Sequence, residues 1–178
     1  ECDWSSDVCS SDLYLKSVVN PADEVSLKRV INEPRRGIGD ASIAKLDAWA
    51  ALTGKTFADA LRHAREAGVG GTAAKGIVAF VQLLDTLAQY VDEGPAVLIG
   101  EALERSGYLE LLEAENTVEA HGRIENLAEL VGSAERFETI DEFLEQVSLV
   151  SDTDQIDGDD SKVVLMTLHS AKGLEYPI

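Results

Sequence analysis

A chain of 178 residues with 45% hydrophobic content fits one domain, or one domain and part of a second, with enough apolar side chains for a core. It holds neither a run approaching the ~18 apolar residues of a membrane helix nor a basic, apolar secretory start, so it reads as cytoplasmic and without a membrane partner. The net charge of −18, from 33 acidic and 15 basic groups, argues against a general polyanion binder, because affinity for DNA comes largely from cations that displace phosphate counterions.

The opening residues 1–12, ECDWSSDVCSSD, have no helical or strand period, and Trp4 has no apolar companions. This segment is expected to be disordered or, the preferred reading, non-native sequence joined to the chain. Its Cys2 and Cys9 lack a matching second pair, and His63, His121 and His169 are scattered, so neither a zinc site nor a structural disulfide is expected. From residue 13 onward the text reads as helices. Asn20-Pro21 looks like a cap leading into a helix over 23–32 that Pro34 ends. Asp40 or Ser42 starts the next, with Ile43, Leu46 and Trp49 on one face and Gly54 just past its end. Thr56 and Asp59 form a capping box for a helix closed by Gly68.

A long amphipathic helix is predicted over 72–92, with Ile77, Phe80, Val81, Leu84, Leu87 and Val91 at helical spacing. Pro95 begins another that breaks near Gly107, and a short one follows through Leu112. Residues 117–137 carry the stripe Val118, Ile124, Leu127, Leu130 and Val131; Thr139 with Glu142 caps a helix bearing Phe143, Leu144, Val147 and Val150. All of these stripes read as core. Residues 151–160, SDTDQIDGDD, then form a solvated acidic linker without the residue order of a calcium loop. Beyond it, 162–168 is a short β-branched run that fits a buried strand. The fold class expected is mainly α: a helical subdomain over 13–150, a linker over 151–161, and the first strand of a truncated P-loop NTPase-like α/β domain over 162–178.

Charge is uneven along this order. Residues 26–46 carry Lys28, Arg29, Arg35, Arg36 and Lys45 against Glu33 and Asp40, five basic to two acidic, a local +3. The acid lies mainly between Glu101 and Asp160, so any nucleic-acid contact is expected near the basic stretch.

The C-terminal text VVLMTLHSAKGLEYP resembles motif V of the UvrD/PcrA/Rep group of superfamily 1 DNA helicases. Pro34-Arg35-Arg36-Gly37-Ile38-Gly39 resembles the segment of that family's 2B accessory subdomain that opens a duplex-contacting helix-loop-helix, and Arg123 to Leu130 resembles a later helix of the same subdomain. The resemblance covers residues 13–178; residues 1–12 match nothing expected of the family. It implies a duplex DNA site of Arg35, Arg36, Gly37, Ile38, Gly39 and Lys45. The chemistry agrees, since Gly-Ile-Gly before a helix exposes backbone N–H groups at its N-terminus and the cations suit phosphate. A plain connecting turn with solvated arginines is the competing reading. For single-stranded DNA the resemblance implies Thr167, His169 and Lys172, and for the nucleotide Gly173 and Glu175. Seen alone, His169 is a surface histidine, and Arg123 with Glu125 a surface charge pair.

No Gly-x4-Gly-Lys-Ser/Thr phosphate loop is present: Gly70-Gly71-Thr72 and Gly173-Leu174-Glu175 both fail the spacing. No strand ending in Asp-Glu is present to hold magnesium, and no catalytic or metal-binding residue is assigned. The expectation is therefore a fragment of an ATP-dependent 3′-to-5′ helicase of replication or repair. ATP and Mg would be cofactors of the intact parent, with none for the fragment. Its partners would be single-stranded DNA, the duplex junction and repair proteins. The alternative is a stand-alone helical module that binds DNA or a partner without catalysis.

Overall fold

Caps and glycines divide the chain into helices close to the expected positions. The computed structural model describes residues 13–152, and all regular structure among them is helical. Helix α1 (13–19) leads into a turn in which Asn20 Oδ1 accepts from Ala22 N at 3.1 Å. Asn20 thus closes a turn and does not cap the helix that follows. The cap of α2 (Glu24–Val30) is Asp23, whose carboxylate accepts from Ser26 N and Ser26 Oγ at 3.1 and 2.6 Å. A carboxylate three residues before that N–H satisfies it directly, which an amide at position 20 cannot do. Helix α2 stops at Val30, short of the expected residue 32, and Ile31 and Asn32 form the turn that precedes Pro34.

Helix α3 (Asp40–Thr53) ends on Gly54 in the left-handed conformation, as its position in the sequence predicts. The capping box of α4 (Phe57–Arg62) forms in full between Thr56 and Asp59. That helix is shorter than expected: the His63 N–H already divides between Asp59 O and Ala60 O, and turns carry the chain on to Gly68. Helix α5 (Gly71–Leu87) gives way to a 3₁₀ segment, Ala88–Glu93, where one continuous helix was expected. Gly94 takes φ +95° and Pro95 opens α6 (Pro95–Arg105), so the preceding turn tightens before the chain changes direction.

Helix α7 (Tyr108–Glu115) follows Gly107, and α8 (Val118–Ala134) is capped by Thr117, whose Oγ1 accepts from Ala120 N at 3.0 Å. Thr139 Oγ1 accepts from Glu142 N at 3.3 Å at the start of α9 (Ile140–Asp152), which runs past residue 150 into the stretch expected as linker. The strand expected over 162–168 and the segment 1–12 lie outside the described residues.

One core joins these helices. Leu15, Leu27, Ile31, Ile38, Leu46, Ile77, Phe80, Leu87, Leu98, Ile99, Leu112 and Phe143 are all sealed from solvent. Each such burial contributes about 1.5–3 kcal/mol relative to exposure. Helix α4 packs on α3 and α5, α6 packs on α7 and α8, and α5 reaches across to α6. Most of the expected stripes face this core, though Ile124, Leu130 and Val131 are only partly buried. Val118 is 92% exposed, because the first residue of α8 precedes the turn that meets its neighbours.

Candidate nucleic-acid interface

The loop between α2 and α3 is shaped by side chains that face inward. Asn32 Oδ1 accepts from Arg36 N at 2.8 Å and from Ile38 N at 3.4 Å, folding the chain back over its own entry. The Arg36 guanidinium lies beneath it. Its Nη1 donates to the carbonyls of Val30, Ile31, Glu33 and Pro34 at 2.9–3.3 Å. Its Nη2 donates to Tyr14 Oη at 2.7 Å, and the group lies 5.3 Å from the centre of the Phe80 ring. Tyr14 Oη in turn donates to Glu33 O. Burial pushes the Tyr14 phenol above its ordinary pKa, against the opposing pull of the Arg36 charge.

Helix α5 closes the loop from the other side. A methyl on Gly76 would lie 2.3 Å from Arg36 O, so only glycine allows this approach. Gly37, at φ +72°, faces Thr72, whose Cγ2 would lie 3.2 Å from a methyl placed there. Lys45 Nζ donates to Gly68 O at 3.0 Å, tying α3 to the glycine-rich entry of α5.

The expected duplex residues therefore share one loop and the adjoining turn of α3, but they differ in what they present. Arg35, Gly37 and Gly39 are exposed, and Arg35 makes no hydrogen bond or ion pair among the described residues. Gly39 caps α3 with no side-chain acceptor, leaving backbone donors at the helix start, although Asp40 occupies the first turn. Ile38 is 2% exposed and its side chain belongs to the core. Arg36 and Lys45 are engaged by carbonyl oxygens as described. Lys28 is also occupied: its ammonium pairs with Glu24 and, at 2.8 Å, with Asp47. Partial burial opposes the Lys28 charge, yet the Asp47 and Glu24 carboxylates raise its pKa. Of the five cations, Lys28 is thus ion-paired within the fold, and Arg29 and Arg35 are the two without a partner among the described residues.

Sequence reasoning did not anticipate Tyr14, Asn32, Thr72 or Gly76 at this loop. Only Asn32, which lies near it in the chain, carried a local signal, as a turn-forming side chain. Thr167, His169, Lys172, Gly173 and Glu175 lie outside the described residues. Among the described residues no group of three or more His, Cys, Asp or Glu side chains is arranged to hold a metal ion. No described helix is long and apolar enough to cross a membrane.

A helical unit with a basic, glycine-rich helix entry, followed in sequence by the 162–178 text, defines the class. The family model of the UvrD-like helicase C-terminal domain matches residues 13–178, and the chain belongs to that family. It is 42% identical to the ATP-dependent DNA helicase UvrD1 of Mycobacterium leprae over 194 residues, covering 93% of this chain and 25% of that protein. It is 40% identical to UvrD1 of Mycobacterium tuberculosis and 36% identical to the ATP-dependent DNA helicase PcrA of Bacillus subtilis, again over 93% of this chain and 24% of each relative. The chain spans about a quarter of the length of these curated relatives.

Proposed function

We propose that this chain supplies duplex-DNA contact, and part of the single-strand and nucleotide contacts, to a UvrD-type helicase that moves 3′ to 5′ at the expense of ATP in DNA replication or repair. The observation that carries the duplex contact is Arg35, exposed and unpartnered among the described residues beside the glycine-capped start of α3. Backbone donors and one free guanidinium suit phosphate oxygens and read no sequence, as a contact that must move along any duplex requires. The proposed duplex site is Arg35, Arg36, Gly37, Ile38, Gly39 and Lys45, with Ile38 contributing through its backbone and Arg36 through its hold on the loop.

Thr167, His169 and Lys172 are proposed for single-stranded DNA, and Gly173 and Glu175 for the nucleotide. The accessory subdomain is placed at 13–150, the linker at 151–161 and the start of the motor segment at 162–178. ATP and Mg belong to the intact protein. The chain by itself carries no residues assigned to phosphate transfer and is proposed to be inactive as an ATPase. Repair proteins are proposed as further partners and the cytoplasm as its location.

The test is equilibrium binding of a fluorescently labelled, 3′-tailed DNA duplex to the 178-residue chain over a range of salt. Arg35→Ala should weaken binding and lower the slope of log K against log[salt] by about 0.9, the contribution of one phosphate contact, without shifting the unfolding midpoint. An unchanged affinity and slope would remove Arg35 from the interface.

A further inference from the structure

We infer that Arg36 is a positioning residue: half-buried beneath the α2–α3 loop, it holds Arg35 and the start of α3 in the geometry that meets the duplex and does not itself touch DNA. The inference rests on the duplex-contact reading and assigns the two adjacent arginines opposite roles.

The case starts from donor geometry. A guanidinium offers five N–H donors in a fixed planar fork, which an ammonium cannot reproduce. Here Nη1 is shared among four carbonyl oxygens of residues 30–34 and Nη2 is spent on Tyr14 Oη. One face of the group is turned to Phe80, which is fully buried. To reach a phosphate, Arg36 would have to leave the Ile31 and Pro34 carbonyls and the Tyr14 hydroxyl without its donors, whereas Val30 O would keep the Glu33 N–H and Glu33 O the Tyr14 hydroxyl. Stranding these partly buried acceptors offsets what one solvent-exposed phosphate contact returns.

The same geometry fixes its neighbour. The Arg36 N–H is held by Asn32 Oδ1, and the Arg36 carbonyl lies where a methyl on Gly76 would come within 2.3 Å. With backbone and side chain both pinned, residue 35 has one direction left, outward, and it is exposed. Tyr14 connects this arrangement to α1, since its hydroxyl bridges the guanidinium and Glu33 O.

A double-mutant cycle on the 178-residue chain tests the assignment, with the labelled duplex as probe and the salt slope as readout. Arg36→Lys keeps the charge but loses the fork. If Arg36 positions the loop, Arg36→Lys should weaken binding about tenfold and lower the slope by about 0.9, as Arg35→Ala does. Adding Arg36→Lys to Arg35→Ala should then cost little more, because both remove one contact. Tyr14→Phe leaves both arginines in place and removes only the anchor. It should weaken binding in the same direction, by a few-fold, while helical circular dichroism confirms that the chain is folded.

The inference is overturned if Arg36→Lys binds with wild-type affinity and slope, as a direct phosphate contact kept by the lysine charge would. It is equally overturned if its loss adds in full to that of Arg35→Ala, or if Tyr14→Phe binds as wild type. If the wild-type chain itself binds no duplex, the duplex-contact reading fails first, and that result is distinguishable from each of the others.

Discussion

Replacing Gly76 with alanine should destabilise the fold, although alanine is ordinarily the better helix former. The new methyl carbon would lie 2.3 Å from Arg36 O, 3.2 Å from Arg36 Cβ and 3.3 Å from Arg36 C. A carbon–oxygen contact is comfortable at about 3.3 Å, so α5 and the loop must separate by about 1 Å. The Arg36 segment cannot yield freely, since Asn32 holds its N–H and the guanidinium is bound to four carbonyls and Tyr14. Overpacking of this kind costs about 1–3 kcal/mol, and a broken hydrogen bond adds about 1 kcal/mol. The helix propensity of alanine offsets about 1 kcal/mol, leaving a net loss of about 1–3 kcal/mol.

Gly132 in α8 provides the control, being exposed with nothing within 4 Å of an added methyl. There the propensity term stands alone, and Gly132→Ala should stabilise by about 0.5–1 kcal/mol. In thermal unfolding followed by far-ultraviolet circular dichroism, a chain of this size shifts about 2–4 °C per kcal/mol. Gly76→Ala should therefore lower the midpoint by about 2–12 °C and Gly132→Ala raise it by about 1–4 °C. Shifts of the same sign would refute the close approach of α5 to Arg36.

Thr56→Ala removes the hydroxyl that accepts from Asp59 N at 3.1 Å and should cost about 1 kcal/mol in a urea titration, whereas Thr56→Ser should lie near wild type; equal losses would show that the hydroxyl is idle. Alkaline pH should act through Tyr14. Burial raises its folded pKa above the ordinary value of about 10, so the unfolded chain releases the proton first. Stability is then fully present below about pH 10 and lost as pH rises through the raised folded value. Urea midpoints should fall more steeply above pH 10 for wild type than for Tyr14→Phe, and parallel declines would refute this role.

Helix punctuation was legible in the sequence because its causes are local. Thr56 with Asp59, Gly54 and Pro95 act on backbone groups within four residues, and each occurs in the structure at its expected post. Apolar periodicity likewise placed Ile77, Phe80 and Leu87 in the core before any neighbour was known. The expected cap at Asn20 and the continuous helix over 72–92 failed where two local signals competed, and the closer acceptor or the forced change of direction prevailed.

The fate of each cation could not be read locally. Arg35 and Arg36 are identical and adjacent, yet one is exposed and the other half-buried, and neither residue type nor spacing distinguishes them. The distinction comes from the fold-back of the loop, which brings Asn32 and the carbonyls of residues 30–34 onto Arg36, together with Tyr14, which lies 22 residues earlier, and Gly76 on α5. Composition and motif spacing determined that this chain is helical, acidic and built around a basic glycine-rich loop. Only the tertiary structure decided which cations of that loop remain without a partner, because the carbonyls of residues 30–34 converge on Arg36 only when the loop folds back and Tyr14 joins them from a distant part of the chain.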